Sequence, residues 1–537
     1  MKRLLQHWLT EQAMKRPEAP AVQRLGRRVT YEELERQSNQ LAHVLKEAGC
    51  RQGDRVCFLM PKCIEAVISI MGILKADCIY VPLDRESPAV RTAKIIKKSR
   101  PSCIIAAGDV QNVLLNLAGV PGASVRDIPI GWLGAGNSPG DGLRPVFNRH
   151  DLATAPDTLP ACKNGPEDAA HLLFTSGSTG EPKGVITKHS NDIAFVEWAV
   201  SYFDIGPSDR LSSHTPMHFD LSTLDIYGTL SAGAQLHIIP AGLNLIPGNL
   251  ARFIREYELT QWFSVPSILN YMSKFDVVEQ GDFPSLKRLI WCGEVLPVPA
   301  LRYWMERLPH ATFTNLYGPT ETTVASSYYT VPEVPESNQA EIPIGLPCEG
   351  EQLHVLDEEL NPVPVGEIGD LYISGVGLSK GYWDDPERTS EVFLSGPPTV
   401  AGGGTLYKTG DLARIGEDGL CYFHGRVDNQ IKSRGYRIEL GEIESTLNSL
   451  QLTVECAIVA VPTEGFEGQA ICCAYVPPAG GRVNAARLKK ELKNLLPGYM
   501  IPHLWESYTV LPKNKNGKIN RKEIKSRFQH SEVRVNA

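Results

Sequence analysis

The segment 172–185, LLFTSGSTGEPKGV, holds residue types suited to binding a polyanion. An apolar run from Leu172 to Phe174 leads into four hydroxyls, Thr175, Ser176, Ser178 and Thr179. Gly177, Gly180 and Gly184 are interleaved with them, and Lys183 follows. Glycines let a backbone approach an anion closely, and N–H donors, O–H donors and an ammonium together suit a polyphosphate. The order is not the Walker pattern, because no Gly-Lys followed by Ser or Thr stands at the required spacing. A flexible Gly/Ser turn is the plainer reading of any glycine-rich loop. The ordered hydroxyl-glycine-lysine series is more particular than that.

The elements that must carry this loop are legible as alternating periods. In residues 31–45, Leu34, Leu41, Ala42 and Leu45 fall on one helical face. RVCFLM (55–60) reads as a buried strand, residues 64–76 as an apolar helix, and residues 79–82 as a short strand ending at a proline. Strand, helix and strand at this spacing predict parallel-sheet units. Signals weaken over 105–165, where Gly134, Gly136, Gly140 and Gly142 mark loops, and the theme then resumes to about residue 330. From 341 to 427, short strands (352–356, 370–374, 420–424) separated by Gly and Pro predict a small barrel or antiparallel sheet. AGGGT at 401–405 reads as a flexible surface loop. Beyond 428 the pattern predicts a compact α/β unit with strands at 455–461 and 470–476 and a helix over 485–496. The expected fold is α/β. A large N-terminal domain, 1–427, has parallel sheets with helices plus a small barrel, and a small mobile C-terminal α/β domain covers 428–537.

Composition bounds the function classes. A chain of 537 residues exceeds what one hydrophobic core usually serves. With 42% hydrophobic and 21% charged residues it has an ordinary globular mix. A formal net charge of −7 without a large basic block argues against nucleic acid or an anionic membrane as the main partner. The N-terminal apolar stretch is broken by His7, Glu11 and Gln12, so it reads as an opening helix and not a signal peptide. No stretch has the length and apolarity of a bilayer span. Twelve cysteines without a CxxC pair predict reduced, mostly buried thiols in a cytoplasmic protein. Cys472 and Cys473 sit in an apolar run that alternates poorly.

Further motifs follow the loop in a definite order. They are LKADCIYVPLD (74–84), HFDLS (218–222), NLYGPTETT (315–323), YKTGDL (407–412), GRVDNQIKSRGYRIELGEIE (425–444), LPGYMIP (496–502) and NKNGKINRK (514–522). With 172–185, this ordered set resembles the adenylate-forming superfamily of acyl-CoA synthetases, luciferases and nonribosomal peptide synthetase adenylation domains, over nearly the whole chain. One departure is Asp77, where the family usually has glycine.

The resemblance implies ATP and Mg2+, and it implies roles. Thr175, Ser176, Gly177, Ser178, Thr179 and Lys183 would hold the phosphates. Glu321 would be the magnesium ligand, and Thr320 would donate to the α-phosphate. Asn315 and Tyr317 would meet adenine, Gly318 would lie with them in the nucleotide site, Asp411 would accept both ribose hydroxyls, and Arg426 would be a second ribose contact. Lys518 would bridge substrate carboxylate and phosphate during adenylation. On the residues alone, Lys518 is one lysine of a run with Lys513, Lys515 and Lys522, and such runs are usually solvated faces. Similarity also implies a rotation of the C-terminal domain about a hinge at Asp428. That motion would bring Lys432, Arg434 and Gly435 toward the nucleotide for transfer to a thiol.

Asp220 bears on the substrate class. In amino-acid-activating relatives an aspartate here pairs with the α-ammonium; its plainer reading is a turn or N-cap residue before 221–230. The rest of the implied pocket is Leu221, Leu224, Ser264, Ile290, Cys292, Leu316, Val324 and Ala325. It carries no charge, which favours a modest apolar side chain: proline first, then alanine or valine. The chain ends soon after Lys518, with no GGxS carrier site following and no HHxxxDG pattern preceding. The expectation is therefore a free-standing enzyme, a monomer or weak dimer, loading a separate phosphopantetheinylated carrier protein or coenzyme A. The tail QHSEVRVNA is expected to lack structure. Two rivals remain. One is an acyl-CoA synthetase for a non-amino acid, against which Asp220 argues. The other is a nucleotide-binding protein without turnover, against which Lys183, Glu321 and Lys518 argue.

Overall fold

Local sequence decides the first layers of the computed structural model. It describes residues 3–134, 139–140, 142–177, 180–398, 400–463, 468–478, 483–514 and 518–535. Helix Tyr31–Glu47 puts Leu34, Leu41, Ala42 and Leu45 on its inner face, and all four are fully buried. Thr30 starts it with a capping box: its hydroxyl accepts from Glu33 N, and the Glu33 carboxylate accepts from Thr30 N. Strand Arg55–Leu59 lies parallel between Ile79–Leu83 and Cys103–Ala106. The connecting helix, Ile64–Lys75, is buried at every residue but Glu65.

The chain divides into two compact units. The first comprises Met1–Arg85, Ile96–Phe174 and Gly184–Val427; the second comprises Glu86–Ile95, Thr175–Lys183 and Asp428–Ala537. The second unit thus takes two short segments that the sequence reading assigns to the N-terminal domain. Their bonds explain why. Arg91 makes a buried ion pair with Glu442, and the Ser176 hydroxyl donates to Arg437 O at 2.6 Å.

The first unit holds a seven-stranded sheet, a nine-stranded sheet and a five-stranded antiparallel sheet. In the nine-stranded sheet, strands Thr312–Tyr317, Arg288–Cys292, Gln261–Ser264, Arg210–Ser213, Gln235–Ile238 and Pro20–Arg24 run parallel in that order. Antiparallel strands close its edges. The five-stranded sheet, which includes Glu351–Leu356, Gly369–Gly375, Thr405–Ile415 and Cys421–Arg426, fulfils the expectation for 341–427. Within it, Ala401–Gly403 forms a short 3-10 turn where the sequence reads only a loop.

In the second unit, hairpin Gln430–Ser433/Tyr436–Glu439 leads into helix Leu440–Ser449. A sheet of Glu455–Pro462, Gln469–Val476 and Leu504–Ser507 follows; its third strand is not signalled by the sequence pattern. Cys473 packs on one face of this sheet with Ile471, and Cys472 on the other with Ala470. Burial on both faces explains the poor alternation of that run. The tail expected to lack structure continues helix Arg521–Val535. No helix among the described residues is long and apolar enough to cross a membrane.

Asp77 adopts φ of +63°, a left-handed conformation that favours glycine. Its carboxylate accepts from Cys162 Sγ at 2.9 Å, Lys163 N at 2.8 Å and Asn164 N at 3.1 Å, and Lys46 Nζ lies 3.2 Å away. The residue thereby anchors the 162–164 segment, a role glycine cannot perform.

Candidate active site

The pleat of strand Thr312–Tyr317 sends alternate residues to opposite faces, and both faces carry residues with expected roles. Asn315 and Tyr317 share one face. Asn315 Nδ2 donates to Pro343 O at 2.9 Å, and Tyr317 Oη donates to Asp411 Oδ2 at 2.5 Å. Asp411 stands opposite Arg426 in the antiparallel pair Thr405–Ile415/Cys421–Arg426, and the Arg426 guanidinium takes its other oxygen. Arg426 Nη2 also donates to Thr409 O at 3.2 Å. Burial first, and the Asp411 charge second, hold the Tyr317 hydroxyl well above its ordinary range, so it remains a donor. The result is a buried carboxylate with both oxygens fixed in direction beside an aromatic ring, suited to a nucleoside.

Beyond Tyr317 the chain makes a tight turn. A Cβ on Gly318 would stand 2.7 Å from Ala325 Cα and 2.9 Å from Ser326 N, so backbone packing excludes any other residue. The 3-10 turn Thr320–Thr322 leaves Thr320 half-buried and Glu321 fully buried. Tyr382 Oη donates to Glu321 Oε1 at 2.7 Å, and Ser379 N donates to Glu321 O at 2.9 Å. Thr323 and Val324 then take φ of +62° and +65°, unusual for β-branched residues. Such conformations cost roughly 1–3 kcal/mol each and persist only where surroundings enforce them. Here Thr323 Oγ1 donates to Gly377 O at 2.7 Å and Cys292 Sγ to Val324 O at 3.6 Å.

The donor chemistry around Glu321 fits a magnesium ion shared with phosphate. Mg2+ typically takes one or two carboxylates and fills its remaining positions with phosphate oxygens and water. Glu321 supplies one buried, oriented carboxylate, and the described residues gather no group of three or more His, Cys, Asp or Glu into a protein cage.

Leu316, on the other face, joins an apolar cluster. Leu221, Leu224, Ile290, Cys292, Leu316, Val324 and Ala325 belong to one buried apolar cluster. Cys292 pairs with Leu316 across the parallel register, and Phe263 pairs with Ile290. Ser264 is one residue out of step: it pairs with Trp291, and its hydroxyl accepts from Trp262 Nε1 at 2.9 Å. The pleat therefore turns Ser264 to the opposite face, and Phe263 stands on the face the sequence reading gave to Ser264. Asp220 lies half-buried in the turn ahead of the helix that begins at Ser222, in which Leu224–Gly228 forms a π-helical turn.

The second unit holds the hydroxyl-glycine loop. Ser178, Thr179, Asn516 and Gly517 lie outside the described residues. Among the others, Gly177 N donates to Glu442 Oε2 at 3.3 Å, and Lys183 Nζ lies 3.8 Å from Glu439 Oε1. Thr175 Oγ1 is buried with no hydrogen-bond partner. Burial raises the Glu442 carboxyl, against the pull of Arg91 and the Gly177 N–H. Carboxylates and a carbonyl thus meet donors that the sequence reading gives to phosphate. Lys432 is half-buried opposite Arg437, and Asp428 is exposed, its Oδ1 accepting from Gln430 N at 3.0 Å. Lys518 is exposed; its N donates to Asn514 Oδ1 at 3.0 Å, and its carbonyl accepts from Asn514 N at 2.8 Å.

Tyr382, which orients Glu321, is absent from the sequence reading. Its position within SKGYW (379–383) holds the only local cue, an aromatic after a glycine, and the partner is 61 residues away.

Two mixed or parallel sheets, an antiparallel five-stranded sheet and a C-terminal α/β unit define the fold of adenylate-forming enzymes. A family model described as AMP-binding enzyme matches residues 9–383, and one described as AMP-binding enzyme C-terminal domain matches 442–518. The chain belongs to the AMP-binding, adenylate-forming enzyme family. It is 33% identical to zwittermicin A synthase ZmaJ of Bacillus cereus, over 98% of this chain and 95% of that protein. It is 36% identical to tyrocidine synthase 3 of Brevibacillus parabrevis over 97% of this chain, but spans only 8% of that protein. The Vibrio cholerae adenylation domain AlmE, solved in complex with glycyl-adenosine-5'-phosphate, matches with a TM-score of 0.83 at 24% identity, over 98% of each chain. At that identity the likeness shows the fold alone.

Proposed function

We propose that this protein activates an amino acid with ATP and passes the aminoacyl group to the phosphopantetheine thiol of a carrier protein. A substrate carboxylate oxygen attacks the α-phosphorus; the bond to the β-phosphate breaks, and pyrophosphate leaves with its electron pair. The thiolate then attacks the aminoacyl carbonyl, and AMP leaves. The observation that carries this reading is the double use of strand Thr312–Tyr317. One face offers Asn315 and Tyr317 with the Asp411–Arg426 pair, and the other offers Leu316 to an apolar pocket.

Asp411 and Arg426 orient the ribose, and Tyr317 lies along adenine. Thr320 donates to the α-phosphate. Thr175, Ser176, Gly177 and Lys183 receive the outer phosphates: the Thr175 hydroxyl gains an acceptor it lacks, and the other three exchange their present acceptors for phosphate oxygens. Glu321 would hold Mg2+, which when bound offsets phosphate charge. Lys518 supplies the cation that draws carboxylate and phosphate together, and Lys432 acts in the thiol step after movement at Asp428. Asp220 pairs with the α-ammonium. The apolar lining suits proline first, and then alanine or valine; one methylene is worth only about 1–3 kcal/mol in such a pocket.

Pyrophosphate exchange with an amino-acid panel, run beside fatty and aryl acids, tests this reading. Exchange dependent on a small or medium apolar amino acid is expected, followed by loading of that residue onto a phosphopantetheinylated carrier. Exchange supported only by a non-amino acid overturns the amino-acid assignment, and exchange with no acid overturns adenylation.

A further inference from the structure

Lys62 is half-buried among groups that the catalytic roles do not include. Its Nζ donates to three successive carbonyls, Ser213 O at 2.6 Å, His214 O at 2.6 Å and Thr215 O at 3.3 Å. These end the strand Arg210–Ser213 and open the segment 216–224, which carries Asp220, Leu221 and Leu224. At the far end of that segment, Asp225 Oδ2 accepts from Thr215 Oγ1 at 3.1 Å. Asp225 also lies close enough to Lys62 for their charges to interact.

We propose that Lys62 is a positioning residue for substrate recognition: it clamps the entry of the 216–224 segment, which Thr215 ties to Asp225 at the exit, and so fixes Asp220 and Leu224 for the amino acid. This rests on the amino-acid reading of Asp220 given above.

The physical argument is one of unmet acceptors. Three carbonyls converge at one buried point, and only a group with several donors can satisfy them together; an ammonium has three. A hydrocarbon there would leave buried acceptors unpaired, and the strand end would splay to find other donors. Thr215, whose carbonyl Lys62 holds, donates its hydroxyl to Asp225 at the segment's other end, so the clamp on the entry reaches the exit through one residue. Burial pulls the Lys62 ammonium down and pushes the Asp225 carboxyl up, while their mutual attraction opposes both shifts. Arg24 is a second positive charge in range of Lys62. The adjoining π-helical turn, Leu224–Gly228, widens the helix where Leu224 enters the apolar cluster. A clamp on its first turn keeps that uncommon geometry in place.

The test compares Lys62→Met, Lys62→Arg and the double variant Lys62→Met/Asp225→Asn in steady-state pyrophosphate exchange, with thermal unfolding alongside. Lys62→Met is expected to raise KM for the amino acid at least tenfold while KM for ATP stays within twofold. Lys62→Arg is expected to recover most of that loss, since a guanidinium also carries several donors. The double variant removes the stranded carboxylate charge, so it provides a folded protein if the single variant unfolds, and it is expected to keep the raised amino-acid KM. An unchanged amino-acid KM in a folded variant, or equal rises in both KM values, overturns the proposal. Wild-type protein that exchanges with no amino acid removes the amino-acid reading itself, an outcome distinguishable from failure of the clamp alone.

Discussion

Tyr317 donates its hydroxyl to Asp411 at 2.5 Å, joining a strand of the nine-stranded sheet to one of the five-stranded sheet across 94 residues of sequence. The bond orients a carboxylate otherwise held by Arg426. Tyr317→Phe keeps the ring and removes the donor. A hydrogen bond to a charged group contributes about 1.5–3 kcal/mol. KM for ATP is expected to rise about tenfold or more with little change in KM for the amino acid, as measured by pyrophosphate exchange.

Gly318 admits no side chain, because the added carbon would meet backbone atoms of Ala325 and Ser326, which have no rotamer through which to yield. Gly318→Ala is expected to shift the strained turn bearing Glu321 and Val324. Exchange activity should fall on the order of a hundredfold or more, a loss typical of about 1 Å misplacement. Circular dichroism should show that the sheets remain.

Glu351 offers a pH-dependent test. Burial pushes its carboxyl from an ordinary value of 4.5 up to about 7, while the Gly377 N–H, donating at 2.6 Å, opposes the rise. Its other oxygen is buried without a partner, and its charge helps raise the neighbouring Cys348 thiol. A carboxyl raised in the folded state binds more protons than in the unfolded chain. Its contribution to stability is therefore fully present below about 4.5 and lost as pH rises through about 7, a swing of about 3 kcal/mol. Glu351→Gln cannot ionise, so its Tm relative to wild type is expected to rise between pH 5 and pH 8. A flat difference across that range contradicts the assignment.

Lys518→Ala should separate binding from chemistry. The side chain is exposed, so the fold should be unaffected. Nucleotide binding measured by calorimetry is expected to persist, while exchange falls by a hundredfold or more, the scale seen when a group stabilising transition-state charge is removed. Retention of full exchange would strip the lysine of its assigned role.

Much of the fold was legible because apolar periods and turn residues act locally. Residues 31–45 and 55–60 show this, since their inward faces follow directly from spacing. Register was less accessible: Ser264 and Phe263 differ by one residue, yet a one-step offset reverses the face. Partnerships across long separations were not legible at all. Nothing near Tyr382 announces Glu321, and nothing near Lys62 announces the carbonyls of 213–215. Asp77 looks like a harmless departure in sequence, whereas its carboxylate gathers three donors from 162–164.

Among the residues of the apolar cluster, Cys292 closes its strand and Leu316 lies one residue from the end of the adjacent parallel strand, whereas Ile290 sits at mid-ladder. The side chains of Cys292 and Leu316 can change without altering the sheet's pairing. On the proposed reading of this cluster as the substrate pocket, selectivity is thus separable from architecture, and a few codon changes at these strand ends are expected to alter monomer choice under laboratory evolution.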